Sequence, residues 1–249
     1  MKISIVTAVY NRAAVVGDAV RSVNAQSHPD VEHVFVDGAS TDGSVQAIEA
    51  AGPRNPVLRS EKDNGIYDAL NKGVGLASGD VIGLLHSDDV FADEAVLADV
   101  ARQFADPQVN FVYGDLVYVA KDNLDRVFRH WRAGEYAPRR LRTGWMPPHP
   151  TVFMRASLYR QIGPFNTRYR IAADYELMLR CFLSQQVRHR YIPRTLVKMR
   201  VGGESNRSLE RILRKSREDF SALRSQGFSL PGATQALALK NLLKLGQLF

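Results

Sequence analysis

The chain has 249 residues, is 45% hydrophobic and 24% charged, and carries a formal charge of +7 with 1 cysteine. Such a length and apolar content argue against disorder and allow one large α/β domain or two small ones around a sizeable core. Cys181 alone rules out an internal disulfide framework and any cysteine-built zinc site, and it fits a reducing compartment.

The charge is divided. Residues 1–125 hold 9 Lys and Arg against 19 Asp and Glu, whereas residues 126–249 hold 24 against 7. An acidic half suits a metal; a basic half suits an anionic partner, for which nucleic acid and an anionic membrane surface both qualify. Solvated surface charge accounts for most of these residues taken singly. No apolar run reaches the roughly 20 residues that span a bilayer. Met1–Val6 has one basic residue and a short β-rich run broken at Tyr10-Asn11-Arg12, which reads as a first strand rather than a signal peptide.

Along the chain, Ile3–Val9 is a β-branched strand and Ala13–Gln26 has apolar residues at helical spacing. Val31–Asp37 is a second strand, followed by a turn-rich Gly38–Gly43 and a helix over Val45–Ala51 that Gly52-Pro53 closes. A strand at Val57–Ser60, a helix over Ile66–Ala77, a strand at Asp80–His86, a helix at Glu94–Phe104 and a strand at Phe111–Val119 continue the alternation. Alternating strands and helices predict βαβ units and a mostly parallel sheet, with ligands beyond the carboxyl ends of the strands. Asn11, Asp37, Asp63 and Asp88-Asp89 end those strands and are expected to converge on one cleft. The second half is less regular. Arg126–Arg142 is basic and aromatic, and Met146–Pro150 is a rigid non-helical connector. Thr151–Arg155 reads as a strand, Ala172–Leu183 as a helix, and Arg188–Ile192 and Thr195–Arg200 as short strands. Ser208–Ser225 and Ala233–Leu248 read as amphipathic helices.

Each candidate side chain has a plain reading beside its chemical one. Asp88-Asp89 follows an apolar strand and precedes a helix, so it suits either a hard divalent cation shared with a diphosphate or the cap of the next helix. Asp37 suits a ribose hydroxyl or a base N–H, or a turn that holds its own loop. Asp174 suits a general base at a cleft mouth or a helix-start carboxylate favoured by the dipole. His149, held between two prolines, suits a metal ligand, an acceptor contact or a packed loop residue.

Taken in order, the segments resemble glycosyltransferase family 2. Ile3-Ser4-Ile5-Val6-Thr7-Ala8-Val9-Tyr10-Asn11-Arg12 resembles the opening strand whose backbone cradles the nucleotide base. Val36-Asp37-Gly38-Ala39-Ser40-Thr41-Asp42-Gly43 resembles the family's "VDDGSTDGT" element, with Gly38 in place of its second Asp. Asp63–Gly73 and Ala77–Asp80 resemble a subgroup signature similar to colanic-acid-type surface-polysaccharide transferases. His86-Ser87-Asp88-Asp89 falls where the family has its DXD motif, with His86 for the first Asp. Pro148–Arg155 resembles the acceptor-side segment. Asp174, in Ala173-Asp174-Tyr175-Glu176-Leu177-Met178-Leu179-Arg180, matches the Asp of the "ED" motif, with Ala173 for its Glu.

The resemblance covers about residues 1–205. It implies a GT-A fold with a nucleotide-sugar half over residues 1–120 and an acceptor half over 121–205, followed by a basic helical extension over 206–249. It implies an inverting transfer from a nucleoside-diphosphate sugar to a lipid-linked or growing saccharide, with Mn²⁺ or Mg²⁺ at Asp88 and Asp174 as catalytic base. Donor contacts are implied for Thr7, Ala8, Tyr10, Asn11, Asp37, Asp63, Asn71, Ser87 and Asp88, and acceptor-side roles for Asp89, His149 and Arg180. The basic extension, with Arg207, Arg211, Arg214, Lys215, Arg217, Arg224, Lys240 and Lys244, suits either an anionic membrane surface or packing back on the domain. The expected location is cytoplasmic, peripheral on the inner membrane if the extension binds it. A nucleotidyltransferase, a nucleic-acid-binding protein and an inactive partner subunit are the rival readings.

Overall fold

A computed structural model describes residues 1–201 and 209–245. The expected boundary at 205/206, Arg207, the helix start at Ser208 and the helix end at Leu248 lie outside the described residues. Ile3–Val9 (β1), Val31–Asp37 (β2) and Val81–Leu84 (β4) are buried along their whole length. Runs of β-branched residues buried on both faces belong in the middle of a parallel sheet covered by helices. β1 lies between β2 and β4, parallel to both, and Pro56–Ser60 (β3) extends the parallel array beyond β2. Val16–Asn24 (α1) and Ser44–Ala50 (α2) cover one face through Val16, Val20 and Ile48, which pack on Val9 and Phe35. Ile66–Leu76 (α3) covers the other through Ala69 and Leu70, which pack with Val6, Ala8, Val34 and Val36.

The second half continues the same sheet. Phe153–Arg155 (β8) runs antiparallel to both β4 and Phe111–Val119 (β6), and His189–Arg200 (β9) pairs with β6 in parallel. Val90–Phe91 (β5) closes the far edge against β9, giving the order β3-β2-β1-β4-β8-β6-β9-β5. Val96–Gln103 (α4) packs under this half through Val96, Leu97 and Val100.

Several expectations are corrected here. Helix α1 starts at Val16, not Ala13. The two short strands expected around Pro193 are one strand, β9, whose register with β6 shifts at Gly114/Asp115 so that Pro193-Arg194 bulges out. Proline has no N–H for the ladder, and a bulge accommodates it. The basic stretch after residue 125 holds a strand, Val127–Trp131 (β7), paired to β6, and a one-turn helix, Pro138–Leu141 (α5). Thr151 closes a 3₁₀ turn over His149–Thr151 instead of starting a strand. Ala156–Ile162 (α6) was not anticipated.

Ala173–Leu183 (α7) is buried on most sides; Leu209–Ser225 (α8) packs on it, and Leu230–Leu245 (α9) packs on α8 and sets Lys240 over the Tyr175 ring. Ala222, Leu223, Ala233 and Ala236 are fully buried in the same core as Val6 and Tyr113. Gly144, at φ 68°, lets α9 approach closely, because a Cβ there would stand 2.6 Å from Lys240 Cβ. The helix pair therefore shares the main core. Among the described residues no helix is long and apolar enough to cross a membrane.

Candidate functional site

The carboxyl ends of β2, β1 and β4 are adjacent, so the loops leaving β2 and β4 stand about 10 Å apart, two strand spacings. At the β2 end, Asp37 is fully buried. Its Oδ2 accepts the Ser40 N–H (3.0 Å) and the Ser60 hydroxyl (2.7 Å), while Oδ1 is buried with no partner. An orphaned carboxylate oxygen at a strand end is an acceptor in wait of an N–H or O–H. The β1 and β2 loops are laced together through Asn11, whose N–H donates to Ser40 Oγ (2.8 Å) and whose Oδ1 accepts the Thr41 N–H (3.0 Å). Asn11 and Ala39 both adopt the left-handed region, at φ 51° and 60°, a strained conformation for side chains that functional loops retain. Tyr10 is 62% exposed beside this loop. Gly38 is explained by its neighbours: a Cβ there would lie 2.5 Å from Asp63 Oδ2 and 3.2 Å from the Tyr10 ring. Asp37, Gly38, Tyr10 and Asp63 thus form one cluster.

At the β4 end, Arg200 holds the Ser87-Asp88-Asp89 loop. Its Nη1 donates to the Asp88 carbonyl (2.6 Å), its Nε to the Lys121 carbonyl (3.2 Å), and its Nη2 pairs with Asp18. The backbone N–H of Arg200 donates to Asp89 Oδ1 (3.2 Å). Asp89 Oδ2 is buried without a partner, and burial, then the neighbouring Asp88, pushes its carboxyl well above the usual range. The Asp88 carboxylate accepts no hydrogen bond among the described residues. Nor do those residues contain a group of three or more His, Cys, Asp or Glu able to hold a metal. One free carboxylate of hard oxygens fits a magnesium- or manganese-type cation that completes its shell with diphosphate oxygens and water, not an all-protein cage.

Asp174 sits in the first turn of α7, and its side chain is 18% exposed. Oδ1 accepts the Tyr175 N–H (2.8 Å), and Oδ2 lies 3.1 Å from His149 Nδ1. Burial alone would raise this carboxyl. The hydrogen bond and charge of His149, the charge of Lys215 and the Tyr175 N–H outweigh it and hold the group well below the usual carboxylate range. The Tyr67 hydroxyl, on α3, donates to the Ile171 carbonyl (2.7 Å) and lies 3.3 Å from Asp174 Oδ1. His149 Nε2 is in turn 2.8 Å from His86 Nε2, the two rings meeting edge-on at 71°. Burial and then His149 depress His86 to about 4, against the opposing pull of Asp88 and Asp174. Asp88, His86, His149 and Asp174 therefore form a second cluster. Helix α3 spans the two, with Asp63 before its start and Tyr67 in its first turn.

Some expected residues fall elsewhere. Thr7 is fully buried with its hydroxyl 2.9 Å from His33 Nε2, and Ala8 packs under α3, so both side chains are committed to the interior and only their backbone is left for a donor. Asn71 has both ends of its amide on the Phe165 backbone, donating to the carbonyl (2.9 Å) and accepting the N–H (2.8 Å); it staples α3 to that loop. Asp89 is interior and does not face an acceptor; the side chain that bonds an N–H at the α4 start is Asp93, to Ala95 (2.9 Å). Arg180 pairs with Glu176 and donates to the Ile162 and Pro164 carbonyls, which makes it a packing residue, not an acceptor contact. Ser87 is buried. Sequence reasoning missed Tyr67, Arg200 and Glu218. Glu218 of α8 accepts the Ile171 N–H (2.8 Å) and the Ala172 N–H (3.0 Å) at the start of α7. Only Tyr67 had a signal, its place in the Asp63–Gly73 segment.

Comparison with known proteins adds independent findings. The model of a family described as Glycosyl transferase family 2 matches residues 4–163. A PGL/p-HBAD biosynthesis glycosyltransferase of Mycobacterium bovis (strain BCG / Pasteur 1173P2) is 33% identical over 193 residues, 76% of this chain and 73% of that one. The solved structure of S. aureus TarS 1-349 in complex with UDP-GlcNAc matches with a TM-score of 0.69 at 19% identity, over 97% of this chain and 72% of that chain. This chain spans 43% of the longer TarS chain. The mannosyltransferase PcManGT from Pyrobaculum calidifontis, in complex with GDP-Man and Mn²⁺, matches with a TM-score of 0.68 at 18% identity, over 99% of this chain and 70% of that one. At such identities the two structures share the fold with this chain.

Proposed function

The chain belongs to glycosyltransferase family 2 and has the GT-A fold, and from that premise we propose that it moves a sugar, with inversion, from a nucleoside-diphosphate sugar to a hydroxyl of a lipid-linked or growing saccharide. The observation that carries the reading is the Asp174 carboxylate in contact with His149, which joins it through His86 to the loop that bears Asp88. Inversion requires attack from the face opposite the leaving diphosphate, with one base on the acceptor side. Oδ2 of Asp174 takes a single hydrogen bond, which leaves a lone pair for the acceptor hydroxyl. Its depressed pKa keeps it charged at working pH. It takes the proton as the acceptor oxygen bonds to the anomeric carbon and grows acidic. Asp37 Oδ1 is the acceptor for a ribose hydroxyl or base N–H, with Tyr10 and Asp63 beside it. Asp88 would hold Mn²⁺ or Mg²⁺ together with the donor's diphosphate, and a cation there supplies charge neutralisation for the leaving group.

The lipid-linked acceptor is supported by the relatives named for PGL/p-HBAD biosynthesis and by α8, where exposed Ile212 and Leu213 adjoin exposed Arg214 and Arg217. That mixture suits peripheral contact with an anionic membrane surface. The test pairs two variants. Asp174→Asn is expected to bind the donor normally and to lose transfer by about 10²–10⁴-fold. Asp88→Ala is expected to lose both turnover and the Mn²⁺ dependence of donor binding. Near-normal turnover by Asp174→Asn in a donor-consumption assay would remove the base from the scheme.

A further inference from the structure

Resting on Asp174 as the base, we propose that His149 is a positioning residue for it, and that His86 fixes the one tautomer in which His149 can serve. A carboxylate only accepts hydrogen bonds, so the His149 Nδ1 that stands 3.1 Å from Asp174 Oδ2 carries the proton. With His149 neutral, the ring presents a bare lone pair at Nε2. Only one proton fits between two Nε2 atoms 2.8 Å apart, so it belongs to His86. The chain runs in one direction: His86 Nε2–H to His149 Nε2, His149 Nδ1–H to Asp174 Oδ2. The His86–His149 link reverses only if His149 takes up a second proton and becomes a cation.

The frame around His149 is stiff. It lies between Pro148 and Pro150, whose ring-locked φ angles restrict the backbone, and it opens a 3₁₀ turn in which its carbonyl accepts the Val152 N–H (3.1 Å). Thr151 Oγ anchors the same turn to the Pro148 and Gly114 carbonyls (2.8 and 2.9 Å). His86 is fixed at the end of β4, where Leu85 N–H still bonds to the Val6 carbonyl of β1 (3.0 Å). Imidazoles anchored on separate elements thereby set the direction of the Asp174 carboxylate. This accounts for His86 at a position where the resembling family carries an acid: a carboxylate there only accepts, and would favour a second proton on His149 at Nε2.

The proposal is tested on the full chain by two routes. Long-range ¹⁵N correlation NMR of the imidazoles, without substrate, is expected to show His86 protonated at Nε2 and His149 at Nδ1, with a scalar coupling across the N–H···N bond. Kinetically, His149→Leu is expected to lower kcat by about 10–100-fold, the usual worth of an orienting partner, with donor Kd unchanged. His149→Asn, whose amide N–H replaces Nδ1–H, recovers part of that loss, and His86→Gln, which keeps a donor, outperforms His86→Leu. A proton on His149 Nε2, or a kcat within twofold of wild type in a folded His149→Leu, overturns the proposal. The NMR arm needs no turnover, so absence of any transfer by the wild type would count against the assigned reaction alone.

Discussion

Arg180 follows Asp174 by six residues on α7, and its guanidinium is surrounded by protein acceptors: both Glu176 oxygens and the carbonyls of Ile162, Gly163 and Pro164. Glu176 has a side chain only 5% exposed and also accepts from Gln226 (3.2 Å). Removing one partner of such a pair leaves a buried charge uncompensated, which costs roughly 3–5 kcal/mol, with the low end apt because Arg180 is itself partly solvated. Arg180→Ala is therefore expected to lower unfolding stability by about 3 kcal/mol in urea titrations and to leave donor and acceptor KM of the folded enzyme unchanged. A raised acceptor KM at unaltered stability would return Arg180 to the acceptor site. Motif position placed this side chain near the chemistry, and only the geometry of its bonds says otherwise. Gly38 runs the other way. Its departure from the family pattern left its role open, and the 2.5 Å approach of Asp63 to any Cβ there supplies the reason for it.

Helix α7 begins without a side-chain cap of its own. The N–H groups of Ile171 and Ala172, which lead into its first turn, are satisfied from another element, by Glu218 of α8, while Lys215 of the same helix adds its charge near Asp174. The Asp174 carboxylate is thus aimed by a segment that sequence patterning assigns to a separate extension. Loss of a helix cap typically costs about 1 kcal/mol, so Glu218→Ala is expected to lower stability by about that amount and to reduce kcat more than donor affinity. Equal kcat in wild type and variant would confine Glu218 to a stabilising role. Elements whose periodicity stands in one stretch of chain, β1 to β4 with their helices, α4, β6 and then α7, were legible from the sequence; the two-residue β5 was not. Elements made by pairing at a distance were not. Strand β7 shows no alternation of its own and exists because β6 offers an edge; β9 looked broken at Pro193 because the bulge that absorbs it is a property of the pair. The strand-end acids were legible for the same local reason. Glu218, Arg200 and the His86–His149 contact were not, since each joins residues more than 40 positions apart.

Across the whole molecule the acidic and basic halves do not correspond to two cores. One cluster of buried side chains runs from Val6 through Tyr113 and Met154 to Ala236, and the sheet is continuous through β8. Stability is accordingly a property of the entire sheet, and a titratable group in its middle acts on all of it. His33 is such a group. It is fully buried on β2, lies against Phe35 with ring centroids 3.9 Å apart and the rings tilted by 32°, and has Thr7 as partner at Nε2. Burial depresses it to about 3 from the ordinary histidine value of 6.5, so the folded protein keeps it neutral where the unfolded chain protonates it. The unfolded state then binds more protons at every pH between those two values. His33 favours the fold fully above about 6.5, and its contribution falls as pH drops, by about 1.4 kcal/mol per unit. His86, depressed to about 4, adds a parallel loss in the same window, so the wild-type slope alone does not isolate His33. The comparison that does is His33→Gln, followed by urea unfolding at steps from pH 7 to pH 5, above the range where most carboxylates titrate. The wild type is expected to lose stability faster than the variant below pH 6.5, the gap closing by about 1.4 kcal/mol per unit. Parallel curves through that window would mean that the buried imidazole is protonated without penalty.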